Sequence, residues 1–331
     1  MNLIGRDLLK PSDLTKDEFN YLVELARVLR EEKHRGTEVQ RMGGVNIALI
    51  FEKASTRTRS SFEVAAHDQG AHVTYMGPEE SHLGQSESMK DTARVLSRMF
   101  DGIEFRGFAH DSVETLGRFA AVPVWNGLTD EWHPTQMLGD VLTMRDHTAK
   151  AVEQICLSYL GDGSNNTANS LLVTGALLGF EVRICAPKEL WPTEAIQSLA
   201  YELALSSGAR LGISQDVSTS VAGADFVYTD VWLSMGEPPD RWAHRIDLLL
   251  PYQVNADVMA KAKNPAVKFM HCLPALHDID TDIGRQIHAQ RGLEALEVTD
   301  EVFESEASVV FDQAENRLHT IKALMVATLH S

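Results

Sequence analysis

From Val45 onward, short apolar runs alternate with longer segments of helical period. The runs lie at 45–51, 72–76, 102–106, 122–126, 154–160, 181–186, 210–214, 226–232, 267–272 and 296–299. The first, VNIALI and the phenylalanine after it, reads as a buried strand. Between the runs lie helical patterns such as 193–206 and 87–100, where Met89, Ala93, Leu96, Met99 and Phe100 recur at helical spacing. Strands that alternate with helices specify an α/β fold with parallel sheets. Ten strands are many for one open sheet, and 331 residues suffice for two cores, so two domains are expected. Each should be a mostly parallel sheet flanked by helices. The helical stretch 134–148, opened by Pro134, should bridge them, placing the domains at 1–148 and 149–306. The last helix, within 307–331, is long enough to cross back onto the first domain. Near the N-terminus, Thr15 and Glu18 form a capping-box pattern ahead of Phe19, Leu22, Leu25, Ala26 and Leu29 at helical spacing.

A net charge of −17 argues against a nucleic-acid or anionic-membrane surface, because both would repel the chain. Any anion it binds needs a local positive pocket. Cys156, Cys185 and Cys272 are odd in number and far apart, which suits a reducing cytoplasm better than a disulfide framework. The N-terminus MNLIGRDLLKPSDL lacks a signal-peptide core, and the longest apolar stretch, SLLVTGALLGF, is too short to span a bilayer. A cytoplasmic protein is expected.

Ligands of open α/β sheets bind beyond the carboxyl ends of the strands. Unusual polar residues collect at such ends: EKASTRTR after 45–51, Arg106 closing GIEFR, HPTQ past VPVWNG, GDGSNN after ICLSYL, DVWLSMGE after FVYT, and HCLPA after VKFM. A helix that starts at the end of a strand presents free N–H groups and a positive dipole end, a natural anion site. Ser55, Thr56 and Thr58 add hydroxyls to it. Arg57 and Arg59 stand two apart and cannot share a helix face, so Arg57 is expected at the ligand and Arg59 in an ion pair. Arg106 and Arg317 would complete a guanidinium clamp suited to phosphate. Beside such a pocket, His133 suits a donor to a carbonyl oxygen and Gln136 a reader of the adjacent amide.

Together, STRTR, HPTQ, DVWLSMGE, FMHCLPA and FDQAENRLHTIKA resemble the ornithine carbamoyltransferases, over about residues 8–329. STRTR and HPTQ are shared with aspartate carbamoyltransferases, whereas SMGE and HCLPA are similar to the ornithine enzymes specifically. The resemblance implies transfer of a carbamoyl group from carbamoyl phosphate to the δ-amine of L-ornithine, giving L-citrulline and phosphate. It implies no metal or organic cofactor, and a homotrimer, or a multiple of trimers, with sites at subunit interfaces. By resemblance, carbamoyl phosphate meets Ser55, Thr56, Arg57, Thr58, Arg106, His133, Pro134, Thr135, Gln136, Cys272, Leu273 and Arg317. Of these, Arg57, Arg106, His133, Cys272 and Arg317 would be catalytic. Ornithine meets Asn166, Asp230, Ser234 and Met235, with the loop Ser234–Gly236 closing over it. Where the family pattern reads GPxxSQxG, this chain has GPEESHLG, so His82 takes the place of a glutamine that reaches a neighbouring subunit's carbamoyl phosphate.

Other readings fit less well. LGDGSNN opens like a dinucleotide fingerprint, but Asn166 stands where a third glycine is wanted, and Lys188 lies where an acidic ribose partner belongs. HDIDTD resembles a calcium loop, yet Ile283 holds the glycine position and Ala289 the bidentate glutamate position, leaving a solvated turn. A non-catalytic binding protein on the same fold would have no use for a complete residue set. Another acceptor amine, putrescine or lysine, remains the close alternative, and synthesis or breakdown of arginine is equally open.

Overall fold

The computed structural model describes residues 1–78, 87–232 and 239–329. Its chain divides into two compact units: Met1–Thr143 with Ala314–Ser331, and Met144–Gln313. Unit 1 begins with helix α1 (Lys16–His34). Thr15 caps it by accepting from the Glu18 N–H while Glu18 accepts from the Thr15 N–H, the expected capping box. Strands β1 (Asn46–Phe51), β2 (His72–Met76), β3 (Gly102–Arg106) and β4 (Val124–Leu128) alternate with helices α2 (Thr56–Asp68), α3 (Met89–Leu96) and α4 (His110–Phe119). Helix α5 (Pro134–Asp146) carries the chain out of unit 1, and α13 (Val310–Thr328) brings it back.

In unit 2, β5 (Cys156–Leu160), β6 (Glu181–Cys185), β7 (Leu211–Ser214), β8 (Phe226–Thr229) and β9 (Lys268–His271) are joined through α6 (Asn166–Leu178), α7 (Glu194–Ser207), α8 (Val217–Val221), α9 (Pro239–Leu249) and α10 (Ala256–Lys261). Two further helices, α11 (Asp282–Arg291) and α12 (Asp300–Phe303), follow β9.

Both sheets are parallel throughout, with order β2-β1-β3-β4 in unit 1 and β7-β6-β5-β8-β9 in unit 2. Central strands of such sheets are covered on both faces, which is why Ile47–Phe51 and all of β5 are buried. Unit 1 packs Ala48, Ile50, Ile103, Phe105 and Val124 against Ala93, Leu96, Val113 and Leu116. The sheet of unit 2 rests on Leu160, Val227, Phe269, Val254 and Val298. Among the described residues, no helix is long and apolar enough to cross a membrane.

Two expectations need correction. Residues 296–299 form no strand: Val298 makes only an isolated bridge to Val254. Leu296, Glu297 and Val298 are all buried, so the segment packs into the core without belonging to a ladder. The helix expected at 87–100 ends at Leu96, where Ser97 serves as C-cap, so Met99 and Phe100 lie beyond it.

In each sheet the strand order reverses beside the first strand. The reversal falls between β1 and β3 in unit 1, and between β5 and β8 in unit 2. At these points successive crossovers leave in opposite directions and open a crevice at the carboxyl edge. Phe51 and Arg106 end the strands at the first; Leu160 and Thr229 end them at the second.

Candidate active site

At the crevice of unit 1, β1 runs through a short turn into α2. Ser55 caps that helix by accepting from the Thr58 N–H at 3.3 Å, so Thr56 and Arg57 fall in its first turn, at the positive dipole end. Thr58 is fully buried, and its Oγ1 accepts from Arg106 Nη1 at 3.2 Å and Arg317 Nη2 at 2.6 Å. One hydroxyl thus gathers the guanidiniums of β3 and α13. A methyl group at Gly139 of α5 would lie 3.0 Å from Arg317 Cγ, so only glycine allows α13 this approach without displacement. Arg59 turns away as expected, pairing with Glu63 at 2.8 Å and lying over the Tyr75 ring at 3.7 Å.

His133 directly precedes α5 and is buried. Burial, followed by the charges of Arg317, Arg106 and Arg57, holds its imidazole well below the usual histidine range. It is therefore neutral at ordinary pH and donates one N–H without carrying charge. Pro134, Thr135 and Gln136 form the buried first turn of α5. Gln136 Nε2 donates to Asp140 Oδ1 at 2.7 Å, which leaves Oε1 as the acceptor end of the amide.

Glu104 belongs to this pocket and was missed from sequence, although the two-residue period of β3 puts it on the same face as Arg106. It is fully buried, and neither carboxylate oxygen accepts a hydrogen bond among the described residues. A Cβ on Gly127 would stand 2.0 Å from Glu104 Oε1, so the glycine of β4 makes its space. Burial raises this carboxyl well above the ordinary range, outweighing Arg106 and Arg317. A raised folded-state value contributes stability that is fully present below the unfolded value and is lost as pH rises through the folded one. Glu104→Gln copies the neutral acid. Its stability should match the wild type near pH 4 and exceed it increasingly above, by about 1.4 kcal/mol per pH unit, until the folded carboxyl ionises. Denaturant midpoints measured across pH check this; parallel curves would mean that no proton is held there.

At the crevice of unit 2, Asp230 follows β8 and is buried. Its Oδ1 accepts from the Val231 N–H at 2.8 Å and from Cys272 Sγ at 3.1 Å, and its Oδ2 from Asn165 Nδ2 at 3.4 Å. Asn165 also donates to the Tyr159 hydroxyl at 2.9 Å and caps α6 by accepting from the Ala168 N–H. Asn166, the residue expected from sequence, is half-buried at the first position of α6, where its Oδ1 accepts from Thr167 Oγ1 at 3.3 Å. Its neighbour Asn165, the cap of α6, is the asparagine that donates to Asp230 Oδ2.

Cys272 and Leu273 follow β9, both half-buried. Leu273 adopts φ 60°, an uncommon conformation for a branched residue, and its N–H donates to His271 Nδ1 at 2.8 Å. Gln313 fixes this turn by accepting from the His271 N–H and donating to the Tyr228 hydroxyl. His271, Glu297 and Gln313 were not singled out from sequence because nothing local distinguishes them from surface polar residues. The expectations at His82, Ser234 and Met235 lie outside the described residues.

Unit 1 therefore holds an anion pocket of guanidiniums and a helix N-terminus, and unit 2 a multiply bonded carboxylate beside a thiol. The family model described as the carbamoyl-P binding domain of aspartate/ornithine carbamoyltransferase matches residues 6–146. Its companion, the Asp/Orn binding domain, matches residues 153–328. A Rhizobium meliloti (strain 1021) protein described as ornithine carbamoyltransferase, catabolic, is 57% identical over 329 residues, covering 99% of this chain and 98% of its own. One from Actinobacillus pleuropneumoniae serotype 5b (strain L20), described as ornithine carbamoyltransferase, is 56% identical, with 99% of each covered. The structure of ornithine carbamoyltransferase from Pyrococcus furiosus superposes with a TM-score of 0.91 at 39% identity, over 99% of this chain and 98% of that one. With both models matched in order along nearly its whole length, the chain belongs to the aspartate/ornithine carbamoyltransferase family.

Proposed function

We infer that the chain transfers the carbamoyl group of carbamoyl phosphate to the δ-amine of L-ornithine, releasing L-citrulline and phosphate. The observation that carries this reading is the convergence of Arg106 and Arg317 on Thr58 at the N-terminus of α2, with neutral His133 in their field. Full-length identity of 56–57% to proteins described as ornithine carbamoyltransferases supports the acceptor. A relative at 57% identity is described as catabolic and a solved structure at 33% identity as anabolic, and both directions of arginine metabolism suit the same site.

The roles follow from charge. The phosphoryl oxygens take the N–H groups and hydroxyls at Ser55, Thr56, Arg57 and Thr58, with the fork of Arg317. Arg57, Arg106 and His133 donate to the carbamoyl oxygen, where negative charge grows as the amine attacks. Gln136 Oε1 accepts from the carbamoyl NH2, fixing which face is attacked. An amine like that of ornithine has an unperturbed pKa of about 10.4, so presenting it neutral at pH 7 costs roughly 4–5 kcal/mol. The arginine cations and exclusion of water lower that cost. The C–O bond to phosphate then breaks, and the departing phosphate, held by Arg317 and the helix dipole, accepts the amine proton. Asp230 receives the α-ammonium of ornithine, and Asn166 contacts its amino-acid end.

Phosphate release from carbamoyl phosphate with ornithine, putrescine or lysine as acceptor tests the assignment. Ornithine should be preferred by orders of magnitude, and a preference for putrescine, which lacks the α-carboxylate, would overturn it. Cys272 supplies a second check, because its thiol donates to Asp230. Losing a hydrogen bond to a charged group costs about 1.5 kcal/mol, so Cys272→Ala should raise the KM for ornithine about tenfold and leave that for carbamoyl phosphate unchanged. Thiol reagents should inactivate the wild type and carbamoyl phosphate should protect it; an unaltered ornithine response removes Cys272 from the site. The family relation also supports a homotrimer, or a multiple of trimers, with sites at subunit interfaces. Light-scattering mass checks this, and a monomer active at all concentrations would exclude it.

A further inference from the structure

Away from the anion pocket, the last residue of α1 meets two residues one turn apart on α13. His34 Nε2 lies 3.0 Å from Glu315 Oε1, and His319 Nε2 lies 3.2 Å from the same oxygen. All three ligand atoms fall within 4.8 Å of one another. Around a tetrahedral zinc ion with bonds of about 2.0–2.1 Å, neighbouring ligand atoms stand roughly 3.3 Å apart, so small side-chain shifts would suffice. Neither helix would have to move, because His34 and Glu315 are more than half exposed and half exposed respectively. Water could fill the fourth position.

His319 gives the cluster a fixed point. Its ring is 1% exposed and oriented with Nε2 on Glu315, while Nδ1 is buried with no hydrogen-bond partner among the described residues. The packing that buries the ring holds Nε2 in one orientation, so one ligand atom is in place before an ion arrives. Burial, the largest effect, holds the ring neutral, so a metal need not displace a proton from an imidazolium there.

The surrounding charges set the strength. Arg30 and Lys322 oppose a cation at this place. Lys322 is already compensated by Glu38 and Asp68, and Arg30 donates to Asn316 Oδ1. A metal-bound His319 would carry its proton on Nδ1 with no acceptor, which makes the imidazole a weaker ligand. Two imidazoles and one carboxylate suit zinc and its first-row neighbours over calcium or magnesium, which prefer oxygen shells.

We propose that His34, Glu315 and His319 form a moderate-affinity site for a divalent transition cation, zinc being the natural occupant, that clasps the end of α1 to α13. The clasp lies two residues from Arg317 on either side, so its occupancy stiffens the helix that carries Arg317. This is independent of the carbamoyl-transfer reading.

Zinc titration calorimetry on the full-length protein tests it. Asp230, His271 and Cys272 also lie within ligand distance of one another, as do His277, Asp300 and Glu304, so a background of Cys272→Ser with His277→Ala removes one ligand from each of these clusters. In that background one zinc per chain should bind and raise Tm. Adding His34→Ala should weaken binding at least tenfold and abolish the Tm shift, while His34→Ala alone keeps wild-type turnover. Cobalt(II) should give the visible absorption of a four-coordinate ion without a thiolate charge-transfer band, and Glu315→Gln should remove it. No zinc bound in the Cys272→Ser, His277→Ala protein, or equal affinity after His34→Ala, overturns the proposal. Because His34 is exposed, the test does not depend on a variant at buried His319 folding.

Discussion

Arg106→Ala should lower kcat by roughly 10²–10³-fold, the usual loss when one preorganised donor to a developing oxyanion is removed. The guanidinium ends β3 at the strand-order reversal, is held by Thr58 Oγ1 at 3.2 Å, and is mostly buried. It therefore needs no reorganisation when charge develops. Removing one partner of a buried ion pair ordinarily destabilises the fold strongly, by about 3–5 kcal/mol. Here the loss should be milder, because burial already holds Glu104 in its neutral form. Arg106→Lys keeps the charge but loses the planar fork, and should recover only a small part of the activity. Steady-state kinetics alongside a thermal melt check the prediction. A kcat within tenfold of wild type, with Tm unchanged, would show that Arg106 does not touch the reacting group.

Asp230→Asn should raise the KM for ornithine about 100-fold and leave that for carbamoyl phosphate nearly unchanged. Truncating one member of a buried charge pair costs about 2–5 kcal/mol in binding, and asparagine keeps the shape while removing the charge that meets the α-ammonium. The Val231 N–H, Cys272 and Asn165 all donate to this carboxylate, so its position is set before any ligand arrives. The split distinguishes binding from scaffolding: a structural defect would lower Tm and weaken both substrates together. Butylamine, which lacks the second ammonium, should be used no worse by the variant than by the wild type. If the variant lost butylamine turnover in the same proportion, Asp230 would be supporting the fold and not reading the substrate.

Much of this was legible in advance because burial periodicity is local. The strands were found to within two residues at their starts and three at their ends, apart from 296–299, since runs such as VNIALI have no other stable reading than a strand covered on both faces. That segment misled because a short run with two apolar residues can enter the core whether or not its backbone pairs, and here Glu297 is buried with them. The polar clusters at strand ends were visible as well, and both crevices contain the expected arginines, histidine and aspartate. Glu104 was open to discovery from its place two residues before Arg106, but an acidic residue in a pocket for an anion contradicts the charge argument. Only its burial in a neutral form resolves the contradiction.

The sequence by itself determined the fold class, the strand and helix sites, and the chemical type of each crevice, because all three depend on residues close in the chain. The tertiary structure alone decided which distant side chains meet. Thr58 and Arg317, 259 positions apart, share a hydrogen bond because α13 returns against α5 at Gly139. Asn165, the cap of α6, meets Asp230, 65 positions away, because β5 and β8 lie side by side. His34 meets His319 because the same return of α13 carries it past the end of α1. Such encounters depend on crossover direction and helix packing, which are settled by burying apolar surface over the whole unit and leave no trace in local spacing.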